Sequence, residues 1–341
     1  MTSASIRSIR SIRSYNLGDL VPPAHPPRSL RRRRAPAWDA ATKPCSDVGE
    51  VYAVCMSTQL PPDAATAIRS YLRIADRILP GGIIACAVTG SIALGAYRPG
   101  RSDIDLVAVI SDECRTRPDL LRRLRLLHLS QVPRLVVGAA RGRGVSACCN
   151  TVFIAESEVG RPVTEIRPIA SHTGEIFDAN GAFDVNPVVW KELVDGGITV
   201  RGRPIAEWDV DAQPEALRPW ISRNLREYWT PLAAQLRVRP SRTPGTLLRR
   251  LVTSPRGLSA GTVAWCGLGP ARMYHTLATG EIIGKEEAGR RALTAFPQHA
   301  PITEVALAKV RGARISSAPS RRQWRGLTAT AMDDIIAAAL D

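Results

Sequence analysis

The chain is short of acidic residues, of aromatic rings and of long apolar runs, and each shortage removes a class of function. Asp and Glu number 31 against 46 Lys and Arg, a formal net charge of +15. That balance raises the attraction to phosphate, whether carried by nucleotide, nucleic acid or membrane. Aromatic residues make up only 5%, too few for the stacking platforms that grip single strands, and no RNA-binding motif is present, so a specific nucleic-acid partner is not expected. No apolar run approaches the ~20 residues a bilayer-spanning helix needs, so no membrane partner is expected. The first residues, MTSASIRSIRSIRSYNLG, lack a continuous apolar segment and do not read as a secretory signal. The cysteines (Cys45, Cys55, Cys86, Cys114, Cys148, Cys149 and Cys266) are odd in number and form no C-x-x-C pair. A zinc ribbon or a disulfide scaffold is therefore excluded, and a reducing cytoplasm is expected. His172, His275 and His299 have no metal-ligand spacing and read as structural residues.

What is present is a 341-residue chain with 45% apolar residues, enough to bury the cores of two domains. Residues 1–45 stand apart. Ser-Ile-Arg repeats three times over 5–13, PPAHPP follows at 22–27, and Arg31 to Arg34 are consecutive. This composition buries nothing and reads as a solvated basic tail rather than an organellar transit peptide. From about residue 60 the pattern becomes globular. A helical period runs through Ala64, Ile68, Leu72, Ile74, Ala75 and Ile78 after Pro61 and Pro62. Ile83–Thr89 and Ile104–Ile110 are continuous apolar runs of strand length. Pro118–Leu129 reads as a basic amphipathic helix, and Leu135–Ala139 and Val145–Ile154 read as further strands. A helix over Pro187–Val194 and a short strand over Ile198–Gly202 follow. Beyond a Pro-containing linker the pattern is helical over 215–237, 262–279, 285–296, 301–312 and 328–340. The expectation is an α+β domain over 60–205, a mixed sheet flanked by helices, followed by an all-α bundle over 212–341.

The chemistry concentrates in VTGSIALGAYRPGRSDIDLVAVI, residues 88–110. The order is strand, Gly-Ser turn, short helix, and a second strand opening with Asp103-x-Asp105. Side chains two apart on a strand share a face, so the two carboxylates can converge on hard divalent cations such as Mg2+. Two such ions can hold a triphosphate and keep the attacking and leaving oxygens in line. Gly90 lets backbone approach a phosphate, and Ser91 offers a hydroxyl and an N–H at a helix start. A lone D-x-D is usually a solvated turn, and a lone Gly-Ser is usually only a turn. In this order and context they point to nucleotide chemistry. GEIIGKE at 280–286 is not a P-loop: the glycines are too close, and no Ser or Thr follows Lys285.

GSIALGAYRPGRSDIDL resembles the signature of polymerase-β-type nucleotidyltransferases, in particular the aminoglycoside adenylyltransferases that modify streptomycin and spectinomycin. The segment from Asn186 to Pro204 is similar to the one that joins the two domains in that family. Ala271-Arg-Met-Tyr-His-Thr-Leu-Ala-Thr-Gly280, with Lys285 and an Ala-rich helix, resembles its helical C-terminal domain. The resemblance implies ATP as nucleotide donor, Mg2+ on Asp103 and Asp105, phosphates on Gly90 and Ser91, and Arg272 and Lys285 reaching the phosphates across the cleft. It also implies a small-molecule acceptor such as an aminoglycoside, and a monomer is expected. The family's third acidic position falls on the strand CCNTVFI at Asn150. An amide can ligate or hydrogen-bond, but it cannot act as a general base near neutral pH. Glu156 and Glu158 are the alternative acids, and a catalytically weak or inactive binding protein is the alternative function. Trp229 matches a Trp that helps hold streptomycin in relatives, but no acid follows it, and Glu227 reads as a solvated helix-face charge. Trp229 and Trp265 read as core residues, with ligand stacking as the alternative.

Overall fold

The computed structural model describes residues 60–140, 148–174, 176–179, 181, 183–237, 258–314 and 319–341. The basic segment 1–45, Cys45, Cys55 and residues 145–147 of the expected strand lie outside them. Helix α1 (Pro62–Ile78) opens with a proline at its first position, where a missing N–H costs nothing, and carries Asp63 at its start and Arg77 at its end. Its buried face is Ala64, Ile68, Tyr71, Leu72 and Ala75. Strand β1 (Ile83–Thr89) runs into the one-turn helix α2 (Gly90–Ala93), and β2 (Ile104–Ile110) returns antiparallel to β1, with Thr89 opposite Asp105.

After the short helix α3 (Asp112–Arg115), the chain makes two helices, α4 (Leu120–Leu129) and α5 (Val132–Ala140), before β3 (Cys149–Ala155). Here the structure corrects an expectation: Leu135–Ala139 is helical, not a strand. β3 pairs parallel with β2, and parallel neighbours need a crossover of a dozen or more residues. The helices fill that crossover. Val136 and Val137 are exposed on α5, so their strand propensity has no sheet to join. Strands β4 (Ala170–Thr173) and β5 (Ile176–Asp178) extend the sheet antiparallel, helix α6 (Pro187–Gly196) follows, and β6 (Ile198–Arg201) pairs with β1. The sheet order is β5-β4-β3-β2-β1-β6.

Alternation along the central strands sorts their side chains between two cores. Ile104, Leu106, Ala108 and Ile110 pack with α1 and α4, whereas Val107 and Val109 pack with Trp190 and Leu193 of α6 and with Trp208. Burial on both faces explains why β2 reads as an unbroken apolar run.

From Pro214 on, the described residues are mainly helical. α7 (Pro214–Asn224) passes through a π turn over Leu225–Trp229 into α8 (Thr230–Arg237). The span 215–237 is thus one helical run broken by a π turn, where Thr230 Oγ1 donates to the carbonyl of Leu225 at 2.9 Å. α9 (Ala260–Thr279), α10 (Lys285–Ala295), α11 (Ala300–Arg311) and α12 (Arg321–Leu340) complete it. α12 begins well before residue 328 because Ser320 and Gln323 form a reciprocal capping box. Trp229, Trp324, Met332, Ile221 and Leu232 belong to one core shared by α7, α8, α9, α11 and α12. Cys86, Cys114, Cys148, Cys149 and Cys266 are buried free thiols. Among the described residues no helix is long and apolar enough to cross a membrane.

Candidate active site

The same alternation that fills the cores builds the site. Asp103 and Asp105 share the parity of Val107 and Val109, so they emerge on the face that packs against α6. Beyond the end of that packing a cleft of about 580 Å³ opens between sheet and helices. Gly90, Ser91, Asp103, Asp105, Asn150, Arg272 and Lys285 all line it. The seven residues singled out from sequence are brought together, though they come from five separate elements.

Gly90 occupies the left-handed region at φ 64°. A Cβ there would fall inside the van der Waals radius of Asp105 Oδ2, so glycine is required both for the turn and for the carboxylate beside it. α2 has four residues, too few for a macrodipole; any pull on an anion comes from its own N–H groups and the Ser91 hydroxyl. Ser91 Oγ is buried with no hydrogen-bond partner among the described residues.

Asn150 stands directly opposite Asp105 on the parallel pair β2–β3. Its Nδ2 donates to Asp105 Oδ1 at 3.1 Å, and its Oδ1 accepts from the Gly174 amide at 3.0 Å. Both ends of the amide are used, which fixes its orientation and leaves it no proton-accepting role. Neither alternative acid reaches the cleft. Glu156 accepts from the Asp112 amide at 3.2 Å, and Glu158 accepts from Arg161 at 3.0 Å and from the Arg167 amide at 3.1 Å. Glu227 is exposed.

Two carboxylates that did not stand out in the sequence complete the site. Glu192 on α6 is buried; its Oε2 accepts from the Gly90 amide and its Oε1 from Arg272 Nη2, each at 3.2 Å. Arg272 Nε also donates to the Ile283 carbonyl at 2.7 Å. Arg272 therefore crosses from α9 to α6 and tethers the helical part to the glycine turn. Asp184, two residues before the Asn186 cap of α6, lines the cleft with no ion pair or hydrogen bond among the described residues. The only sequence signal for Glu192 was an acid on a helix i, i+4 from Val188, otherwise a solvated position. For Asp184 there was no periodic signal at all.

Burial dominates the electrostatics of these carboxylates, and like charges add to it at Asp105 and Asp184. Burial first, then Asp103 and Asp184, push the Asp105 carboxyl up to about 7, opposed by the hydrogen bond from Asn150. Burial raises Asp103, and Lys285 pulls it back. Burial and Glu192 push Asp184 up to about 6. Glu192 is raised by burial and held down by Arg272 and the Gly90 amide. Such a cluster gains free energy from a cation. No group of three or more His, Cys, Asp or Glu among the described residues forms a complete metal cage. Mg2+ takes one or two carboxylates and completes its shell with water and phosphate oxygens. Asp103 and Asp105 fit such an ion, and the unpaired Ser91 hydroxyl fits a phosphate oxygen.

The sequence profile of the Nucleotidyltransferase domain family matches residues 68–135, which contain the glycine turn and both strand carboxylates. Among solved structures, the chain is similar to spectinomycin adenyltransferase AAD(9) from Enterococcus faecialis, solved with ATP and spectinomycin. The identity is 15% and the TM-score 0.52, over 80% of this chain and 98% of that one. At that identity the likeness is one of fold. No curated protein matches the chain.

Proposed function

We propose that this enzyme transfers AMP from ATP, with Mg2+, to a hydroxyl of a small molecule such as an aminoglycoside or a related compound. The observation that carries the reading is the convergence of Asp103 and Asp105 beside the glycine turn, opposite Lys285 and Arg272, in one open cleft. Asp103 and Asp105 would hold Mg2+, which supplies charge neutralisation for the triphosphate. Ser91 and Lys285 bind its phosphate oxygens, and Arg272 completes the cradle while keeping its tie to Glu192. The acceptor oxygen bonds to the α-phosphorus as the bond to the α,β-bridging oxygen breaks, and pyrophosphate leaves. The hydroxyl proton needs an acceptor, and Asn150 cannot provide one. Asp184 supports this role: it is a carboxylate on the same cleft, without a partner among the described residues, and held near the working pH.

The test is a pyrophosphate-release assay on the purified full chain with ATP, Mg2+ and a panel of hydroxylated acceptors. Asp103→Asn and Asp105→Asn are expected to abolish release while leaving the circular dichroism spectrum unchanged. Wild-type turnover in either variant would refute the metal assignment.

A further inference from the structure

We propose that the outer face of α4 and α5 is a peripheral docking surface for an anionic lipid bilayer. It stands apart from the nucleotidyl-transfer reading, because this face lies across the sheet from the cleft. Leu120, Leu124 and Leu127 of α4 pack into the core that holds Ile104, Leu106, Ala108 and Ile110. Asp103 and Asp105 share the parity of Val107 and Val109, which pack on the other side. A chain docked by α4 and α5 therefore keeps its cleft open to substrates.

The helix α4, LLRRLRLLHL, is apolar on two sides. Leu120, Leu124, Leu127 and His128 fill the inward side. Yet Leu121, Leu126 and Leu129 of α4, with Val132, Val136 and Val137 of α5, are between 40% and 62% exposed. Among the described residues only three other large apolar side chains are exposed, Ile176, Phe183 and Val194, and they belong to different parts of the chain. Apolar side chains scattered singly over a surface need no explanation, but six concentrated on two consecutive helices do.

Charge identifies what covers them. At the helical angle per residue, Leu121, Arg122, Arg125, Leu126 and Leu129 fall within an arc of about 140°. Both arginines are exposed. Asp119, at the start of the helix, is taken up by Arg117 and Arg123 at 3.1 and 2.6 Å. No Asp or Glu follows in the sequence until Glu156. Leucines interleaved with unneutralised arginines suit a helix lying in a bilayer interface, where apolar side chains enter the acyl boundary and guanidinium groups reach lipid phosphates. A nucleic acid would use the arginines and leave the leucines and valines in water. A two-fold contact between copies would set these arginines against their own counterparts. Residues 1–34 carry eight Arg against one Asp, the second, electrostatic signal that stable adsorption of a single apolar face requires. The expectation of no membrane partner rests on the lack of a spanning run, which a peripheral contact does not need.

The test is co-sedimentation of the full chain, without nucleotide, with vesicles of phosphatidylcholine alone and of phosphatidylcholine with phosphatidylglycerol at about 3:1. Wild type is expected to partition at least about tenfold more strongly onto the anionic vesicles, and to be released as salt rises past about 0.3 M. The double variant Leu126→Gln with Leu129→Gln keeps the charge and should lose about tenfold in partition with an unchanged Tm. Arg122→Gln, which touches no core residue, should lose about threefold or more on anionic vesicles and nothing on neutral ones. Equal partition of wild type and the double leucine variant would assign the lipid contact to the arginines of residues 1–34 and overturn the proposal. So would failure of wild type to bind anionic vesicles at low salt. A dimer seen by sedimentation without vesicles, and lost in the double variant, would make this face an interface between copies and overturn it too.

Discussion

Gly90→Ala separates two effects that a single glycine combines here, because Gly95, five residues on, supplies the control. Both have positive φ, 64° at Gly90 and 62° at Gly95. An alanine in the left-handed region costs about 1–2 kcal/mol wherever it sits. At Gly95 a Cβ would meet nothing within 4 Å, whereas at Gly90 it would overlap Asp105 Oδ2. Gly95→Ala should therefore lose only the backbone term, a fall of a few degrees in Tm at roughly 2–4 °C per kcal/mol for domains of this size. Gly90→Ala should lose the same term and also drive Asp105 away from its 3.1 Å bond with Asn150. One charge-assisted contact is worth about 1.5–3 kcal/mol, so calorimetry with Mg2+ and α,β-methylene-ATP should show at least about tenfold weaker binding. Gly95→Ala should bind as the wild type does. Equal nucleotide affinity in the two variants, with matching losses in Tm, would refute the idea that Gly90 is kept for the space beside the carboxylate.

Two other perturbations probe the electrostatics. Arg272→Ala should raise the apparent KM for ATP. It should also destabilise the protein by a few kcal/mol, on the order expected when a buried pair loses one partner and Glu192 is left uncompensated; Arg272→Ala combined with Glu192→Gln should recover part of the Tm, and an unchanged KM would remove Arg272 from the nucleotide site. The second concerns pH. The Asp105 carboxyl sits at about 7 when folded, against about 3.9 in an unfolded chain. Its contribution is fully present below the unfolded value and is lost as the pH rises through the folded one. In the absence of metal, Tm should therefore decline between about pH 4 and 7 from this source, Asp105→Asn should flatten that slope, and Mg2+ with nucleotide should reverse it. An identical pH dependence in wild type and Asp105→Asn would contradict the crowding of charge in the cleft.

The sheet side of the molecule was largely legible in the chain because its signals are local. Ile83–Thr89 and Ile104–Ile110 are apolar at every position, since β1 and β2 are covered on both faces. The Gly-Ser turn and the D-x-D lie between and upon those strands, so their juxtaposition follows from one hairpin-like pairing. Leu135–Ala139 misled because β-branched residues on an exposed helix look like a buried strand when only the sequence is visible. The need for a crossover into a parallel partner is a property of the whole sheet. Glu156 and Glu158 were near the right strand in sequence but lie past its end, where each satisfies backbone amides.

By itself, then, the order of residues determined the central strands, the paired acids and the glycine turn, because strand periodicity and turn conformation depend on near neighbours. Only the tertiary structure decided that Glu192 bridges the Gly90 amide and Arg272, that Asp184 lines the cleft, and that Phe183, Trp220, Tyr228, Trp229 and Trp265 line it too. Those are contacts between residues up to about a hundred positions apart. They arise from how α6, the π turn and α9 pack against one another, and no local pattern records that packing.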